Sequence, residues 1–195
     1  MKAENIKETF ELAIQNHKEN NFEIAEKLYK EILKINPNHA SAHNNLGIVF
    51  KALEEHQKAK SCFQKAIEIN PNYVNAHYNL GNTLKELGEH KKAISCYEKA
   101  IQIQPNYAEA HNNLGTLFQA LGEYRKAKSC YEKAIQIQPN YAEAHNNLGT
   151  LFQTLGEYRK AKSCYEKAIQ IQPNYAEAHN NLGVALNELG EHQKA

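Results

Sequence analysis

Prolines recur at a fixed interval along this chain, and that interval constrains the fold more than any other feature. They are Pro37, Pro71, Pro105, Pro139 and Pro173, each 34 residues from the next. Self-similarity at a period of this size is typical of solenoids and other repeat architectures. The sequence therefore predicts a stack of equivalent units. Two of these units, 108–141 and 142–175, differ only where Ala120 is replaced by Thr154.

Placing each proline at repeat position 32 divides the chain into five full copies and one incomplete copy. The full copies are 6–39, 40–73, 74–107, 108–141 and 142–175, and the sixth is 176–195. We predict one array over 1–195, with a degenerate first copy because one face of a terminal repeat meets water. The sixth copy ends a few residues into its second helix. We therefore expect the front part of a longer protein or a trimmed chain.

The apolar residues of 108–141 predict two helices joined by a tight turn. From Ala110 to Leu121 they recur at i, i+4, i+7, i+8 and i+11, which places them on one helix face. Gly122 then ends this helix, called helix A, and Pro139 ends the following helix B. No stretch alternates as a half-buried strand does, so the predicted fold is all-α. The turns between helices A and B are expected near Glu89, Glu123 and Glu157.

Small residues inside these helices predict close packing. Gly115 lies in the middle of helix A, where glycine costs about 1 kcal/mol relative to alanine. Close approach of another helix explains that cost, with Phe118 and Tyr131 filling the space beside it. Ala127 and Ala134 provide a shallow face on helix B. One hairpin cannot bury all of these faces, so each must stack on the next.

The repeated residues resemble the tetratricopeptide pattern over nearly the whole chain. In 108–141 the matching residues are Leu114-Gly115, Phe118, Ala127, Tyr131, Ala134 and Pro139. The resemblance implies an α-solenoid of helix-turn-helix hairpins, wound into a right-handed superhelix whose concave face is lined by helices A. One departure recurs at repeat position 4, where this chain has His instead of the family's frequent Trp. These histidines are His43, His77, His111, His145 and His179.

Composition and spacing argue against several classes of function. Lys and Arg total 23 against 22 Asp and Glu, so no strong field attracts nucleic acid or anionic lipid. No apolar run is long enough to span a membrane, and we expect a cytoplasmic protein. Pentatricopeptide arrays, which bind RNA, lack this residue pattern. We find no phosphate loop, nucleophile elbow or His-Glu-x-x-His motif, and we predict no catalytic site and no cofactor.

The cysteines and histidines do not predict a metal site. Cys62, Cys96, Cys130 and Cys164 all occupy repeat position 23. Neighbouring copies would place them about 10 Å apart, beyond the roughly 7 Å that a disulfide allows between Cα atoms. The position-4 histidines are spaced in the same way. We expect four reduced, packing cysteines and histidines that serve packing or surface polarity.

Polar side chains on helices A are the candidate peptide-binding residues. The family resemblance places repeat positions 2, 5, 6, 9, 12 and 13 on the concave face. Position 6 has Asn45, Asn79, Asn113, Asn147 and Asn181, and position 5 has Asn44, Asn112, Asn146 and Asn180. Positions 9 and 12 add Asn82, Thr116, Thr150, Gln119 and Gln153. A carboxamide both donates and accepts, so it can pair with both groups of a peptide bond.

These asparagines leave two interpretations open. They resemble the asparagine ladder in the repeat domain of O-linked N-acetylglucosamine transferases, which implies backbone binding. Position-6 asparagine is also widespread in the family and equally fits hydrogen bonding between helices. Chaperone-binding members need Lys at positions 2 and 5, and this chain has Ser41, Asn75 or Glu109 at position 2.

Three hypotheses on function follow. The first is a non-catalytic scaffold that binds an extended peptide or partner segment in the concave groove. The second is the substrate-recruiting arm of a larger glycosyltransferase or sulfotransferase. The third is a self-assembling or consensus-like array, associating end to end through Leu182, Ala185, Leu186 and Leu189 of the incomplete copy.

Overall fold

The computed structural model describes residues 3–190 of the chain. This part contains eleven α-helices and no strand, so the prediction of an all-helical fold is confirmed. The helices are α1 (Ala3–Lys18), α2 (Phe22–Ile35), α3 (Ala40–Ala52), α4 (His56–Ile69), α5 (Val74–Glu86), α6 (His90–Ile103), α7 (Ala108–Ala120), α8 (Tyr124–Ile137), α9 (Ala142–Thr154), α10 (Tyr158–Ile171) and α11 (Ala176–Glu188). The predicted start of a second helix in the sixth copy lies in 191–195, outside the described residues.

The chain divides into two compact units between Gln104 and Pro105. In the first unit, α1/α2, α3/α4 and α5/α6 form successive helix A–helix B hairpins, and each helix B also packs on the following helix A. In the second unit, α7/α8 and α9/α10 form two hairpins, and α11 packs on α10 and α9. Within each unit the hairpins therefore stack as predicted. The single array over 1–195 and the superhelix stay predictions.

Helix A ends where the glycine pattern predicts. After α7, Gly122 adopts a left-handed backbone with φ of 75°. The Glu123 N–H then donates to the Phe118 carbonyl oxygen at 2.8 Å, which closes the helix end. Glu54 occupies the equivalent position in the second copy with φ of 60°. The tight turns predicted near Glu123 and its equivalents are confirmed, because Glu123 directly precedes α8.

The glycine inside each helix A lies against the aromatic ring of the helix B that follows. A methyl group built on Gly149 would lie 2.6 Å from Cε1 of Tyr165, and one on Gly115 would lie 2.8 Å from Cε1 of Tyr131. Both tyrosines are at most 1% exposed. Close helix approach therefore explains the glycines, as predicted from Gly115.

The position-4 histidines hold the turns between hairpins together. His145 Nε2 donates to the Pro139 carbonyl oxygen at 3.0 Å, and His77 does the same to Pro71 at 2.9 Å. The same bond forms in every copy from the second to the sixth, through His43, His77, His111, His145 and His179. A carbonyl can only accept, so Nε2 carries the proton. The sequence suggested packing or surface polarity and did not predict this turn contact.

The apolar face of α11 is more covered than its sequence suggests. Ala185 and Leu186 are buried, and Leu182 and Leu189 are half-buried. Val184, on the same helix, is 46% exposed. End-to-end association through this helix stays a prediction. None of the described helices combines the length and apolar character needed to cross a membrane.

Candidate functional site

Asparagine side chains of successive helices A hydrogen-bond to one another. Asn147 Nδ2 donates to Asn112 Oδ1 at 3.0 Å, linking α9 to α7. In the same way Asn181 donates to Asn146 at 3.1 Å. The first unit repeats this contact, since Asn79 on α5 donates to Asn44 on α3 at 3.1 Å. Each bond joins position 6 of one copy to position 5 of the preceding copy. Hydrogen bonding between helices A, one of the two interpretations of these asparagines, is therefore present in the structure.

The position-5 asparagines lie inside the stack. Asn44 is 3% exposed, and Asn112 and Asn146 are fully buried. Asn112 Nδ2 donates to Glu143 Oε1 at 3.0 Å, and Asn146 makes the equivalent bond to Glu177. The prediction that these three residues line a ligand surface is therefore wrong, because neighbouring helices A cover them. Asn180 at the same position of α11 is exposed.

The position-6 asparagines stand beside them and stay half-buried. Neighbouring side chains fix their orientation, because the amide nitrogen of Asn147 points at Asn112 and that of Asn79 points at Asn44. The half-buried Asn, Gln and Thr residues at positions 6, 9 and 12 form what we call the helix-A wall, whereas position 12 of the second and third copies holds the half-buried Lys51 and Lys85. Its members are Asn45, Asn79, Asn113, Asn147, Asn181, Asn82, Thr116, Thr150, Gln119 and Gln153.

Tyrosine hydroxyls from helix B hold positions 9 and 12 of the helix-A wall. Tyr131 Oη donates to Gln119 Oε1, and Tyr165 Oη donates to Gln153 Oε1, both at 2.9 Å. In the third copy Tyr97 donates to Asn82 Oδ1 at 2.7 Å. The sequence predicts only a packing role for these tyrosines. The repeated separations of 12 and 15 residues between the carboxamide and the tyrosine were the available signal.

The tyrosines act as donors because they stay protonated. Burial raises the pKa of Tyr131 to about 12, although its hydrogen bond to Thr116 opposes the rise. Burial also raises the pKa of Tyr165. Each hydroxyl therefore holds its proton throughout the neutral range and fixes the carboxamide that it contacts.

The cysteines are half-buried thiols on helices B. Burial raises the pKa of Cys62, Cys96 and Cys164 from 9.0 to about 11. The thiolate is the nucleophile and the metal ligand, so a raised pKa disfavours both roles. The described residues contain no group of three or more His, Cys, Asp or Glu side chains that could hold a metal ion.

We expect these thiols to react slowly while the protein is folded. A pKa near 11 lowers the thiolate fraction at pH 8 about 100-fold relative to a thiol with a pKa near 9. Titration with a disulfide reagent should therefore proceed at least about tenfold more slowly in the native protein than in denaturant, where four thiols should react, because the greater nucleophilicity of a more basic thiolate offsets part of the smaller thiolate fraction. Fewer than four thiols in denatured, non-reduced protein would contradict the spacing argument against disulfides.

Comparison with known families identifies the repeat. Models described as tetratricopeptide repeat match residues 40–73, 72–140, 106–174 and 142–195. No curated protein sequence matches the chain significantly.

Several solved protein structures share the fold of this chain. The crystal structure of MamA shares 26% identity over 85% of this chain and 96% of that chain, with a TM-score of 0.76. YrrB, described as a TPR protein with an unusual peptide-binding site, shares 26% identity over 88% and 89% of the two chains, with a TM-score of 0.73. PilW, a type IV pilus biogenesis factor, has a TM-score of 0.88 at 19% identity over 98% and 89% of the chains and shows the fold alone.

Proposed function

This chain belongs to the tetratricopeptide repeat family, and from this premise we propose that it is a non-catalytic scaffold. It would bind an extended segment of a partner protein. The partner backbone would lie along the helix-A wall of each unit. Position-6 asparagines would pair with its peptide groups, and positions 9 and 12 would select its side chains.

One observation supports the proposal most strongly, namely the fixed orientation of the position-6 carboxamides. Among the described residues, Asn147 makes one side-chain hydrogen bond, to the buried Asn112, which is itself held by Glu143. The Oδ1 of Asn147 and its second N–H can therefore pair with a ligand without costing further side-chain ordering. Ordering one such side chain on binding would otherwise cost about 0.5–1.5 kcal/mol.

The uncharged side chains of the helix-A wall favour a ligand that is bound through uncharged groups. The members of the wall are Asn, Gln or Thr. The charged residues beside them make contacts within the protein, since Lys51 pairs with Glu86 at 2.9 Å and Glu143 accepts from Asn112. Carboxamides match a peptide bond, which offers one donor and one acceptor, better than they match a carboxylate or a phosphate. YrrB, one of the similar structures at 26% identity, is described as having a peptide-binding site, which supports a peptide as the ligand class.

The asparagine ladder also supports a second candidate. Because it resembles the ladder of O-linked N-acetylglucosamine transferases, the chain is proposed as an alternative to serve as the substrate-recruiting arm of a larger enzyme. The first candidate requires only the helix-A wall, whereas the second requires a catalytic domain on the same polypeptide. Sequencing the complete gene distinguishes them directly.

A backbone-methylation scan of a bound peptide tests the proposal. The peptide would be selected from a library and mapped on the protein by protection or crosslinking. Position-6 asparagines of adjacent copies should lie about 10 Å apart, the usual distance between packed helices, and an extended peptide advances about 3.3 Å per residue. N-methylation should therefore weaken binding at about every third residue. Moreover, affinity should change by less than about threefold between 50 mM and 500 mM salt, because the asparagines that would contact the peptide backbone are uncharged.

Two results would contradict backbone binding to a neutral wall. One is a methylation scan without periodicity, combined with strong sensitivity to side-chain changes. The other is a steep loss of affinity in salt, which indicates a charge clamp. Alanine substitution in the same peptide provides the matched control, since it leaves the peptide groups in place.

A further inference from the structure

An open cavity of about 440 Å³ lies at the first hairpin, on the side that carries the helix-A wall. Its lining includes Ile14 and His17 of α1, Phe22 and Tyr29 of α2, and Asn45 of α3. Asn45 belongs to position 6, so the cavity adjoins the asparagine ladder. The lining combines apolar and aromatic surface with a few polar groups, as ligand pockets do.

The Tyr29 hydroxyl is the unusual group in this cavity. Tyr29 is fully buried, yet among the described residues its Oη makes no hydrogen bond. Burial raises the pKa of Tyr29, and the nearby Asn45 amide opposes the rise, although no hydrogen-bond geometry joins the two side chains. A buried hydroxyl without a partner is costly, and native structures contain few of them.

The later copies show which partner this hydroxyl accepts. The equivalent tyrosines, Tyr97, Tyr131 and Tyr165, each donate to a carboxamide oxygen, at 2.7–2.9 Å. Those oxygens belong to positions 9 or 12 of the preceding helix A. The first copy has Ile14 and His17 at these positions, so α1 offers no carboxamide there.

His17 occupies the same repeat position as Gln119 and Gln153 of the later copies. It packs edge-on against Tyr29, with ring centroids 6.4 Å apart and planes at 85°. It also packs against Phe22 at 6.1 Å and 68°. Burial lowers the pKa of His17, which favours the neutral ring. These rings form the aromatic wall of a pocket whose deep donor is Tyr29.

We propose that this pocket binds the carboxamide side chain of an Asn or Gln residue from a partner peptide. Because the Tyr29 hydroxyl is covered in the unbound protein, the His17 side chain turns aside on binding. The ligand oxygen then accepts from Tyr29 Oη, and its amide group pairs with Asn45. The ligand thus supplies in trans the group that Gln119 and Gln153 supply within their own hairpins. The proposal rests on the proposed peptide-binding function and identifies one side-chain preference of the ligand.

The size and lining of the cavity favour a side chain over a single water molecule. A water occupies about 30 Å³ in the liquid and needs two to four polar partners. The cavity is more than ten times larger, and Ile14, Phe22 and the His17 ring supply mostly apolar surface. The methylene stem of glutamine can contact this surface while its carboxamide reaches the hydroxyl that the His17 ring uncovers.

Stability measurements on paired tyrosine variants test the state of the hydroxyl. Tyr131→Phe removes a formed hydrogen bond and should lower Tm by about 2–4 °C. Tyr29→Phe removes a hydroxyl without an internal partner, so Tm should change by less than about 1 °C or rise. An equal loss in both variants would show that Tyr29 is already satisfied by water or protein, and the proposal would be overturned.

Binding of small probes tests the ligand class. The probes are N-acetyl-glutamine methylamide and, as the control, N-acetyl-norleucine methylamide, titrated into isotope-labelled protein and followed by NMR. The glutamine probe should shift the Asn45 side-chain and His17 ring signals saturably, and at least about tenfold more tightly than norleucine. Tyr29→Phe should abolish this preference, and His17→Gln should weaken it because the new side chain offers its own carboxamide.

This experiment distinguishes a failure of the pocket proposal from a failure of backbone binding along the helix-A wall. The triple change of Asn79, Asn113 and Asn147 to Ala leaves the pocket residues untouched, so it should retain the glutamine preference even where peptide binding is lost. Equal binding of both probes, no saturation by the glutamine probe, or a preference that survives in Tyr29→Phe would overturn the pocket proposal without affecting backbone binding along the helix-A wall.

Discussion

Replacing Gly149 by alanine is expected to destabilise the protein by about 1–3 kcal/mol, the usual cost of overpacking a filled core. The new methyl group would lie 2.6 Å from Cε1 and 2.8 Å from Cδ1 of Tyr165. That ring is fully buried, and its hydroxyl is held by Gln153, so it cannot move without breaking other contacts. The gain of about 1 kcal/mol that alanine brings to a helix interior is too small to offset a severe clash.

Gly183 provides a matched control at the same repeat position. Among the described residues, nothing lies within 4 Å of a methyl group built on it. Gly183→Ala should therefore stabilise the protein by about 1 kcal/mol through helix propensity alone. Denaturant unfolding followed by circular dichroism should show midpoints that move in opposite directions. If both variants were stabilised alike, close packing would not be the reason for glycine in helix A.

Changing Asn79, Asn113 and Asn147 to alanine is expected to weaken binding of an extended peptide by about 2–4 kcal/mol. Each lost hydrogen bond contributes about 0.5–1.5 kcal/mol, and separated sites add. The loss corresponds to an affinity about 30- to 1,000-fold lower, measurable by titration calorimetry with the mapped peptide. Unchanged affinity would exclude the ladder from binding.

The structure adds a stability effect to this variant. Asn79 and Asn147 donate to the buried oxygens of Asn44 and Asn112, so their removal leaves polar atoms unpaired. We expect about 1–3 kcal/mol of destabilisation for each oxygen left buried, and binding must be measured where the variant is fully folded. The same substitution at the exposed turn residues Asn106, Asn140 and Asn174 is the control and should change neither property. Complete unfolding of the triple variant would indicate a structural role alone.

Much of the fold was predictable because its signals are local. The apolar spacing from Ala110 to Leu121 predicts helix A, and Gly122 predicts its end in a left-handed conformation. Gly115 predicts close approach, because glycine in a helix interior is otherwise unfavourable. Contacts that depend on a rotamer or a turn geometry, such as His145 with the Pro139 carbonyl, leave no such signal.

The candidate site was predicted only in part. The repeated Asn-Asn pair showed that carboxamides line helices A, but adjacent residues differ by about 100° around a helix. Whether Asn112 or Asn113 is buried depends on how the next hairpin packs. The cavity at Tyr29 depends likewise on three helices whose contributions are far apart in sequence.

The sequence by itself determined the period, the helices, their turns and the family, because each depends on residues within one 34-residue copy. Only the tertiary structure decided which carboxamides are internal and which form the helix-A wall. Burial and hydrogen-bond partners are properties of neighbouring copies brought into contact. Identical residues such as Asn146 and Asn180 therefore differ in exposure, since α9 has another helix A packed over its asparagine, whereas among the described residues α11 has none.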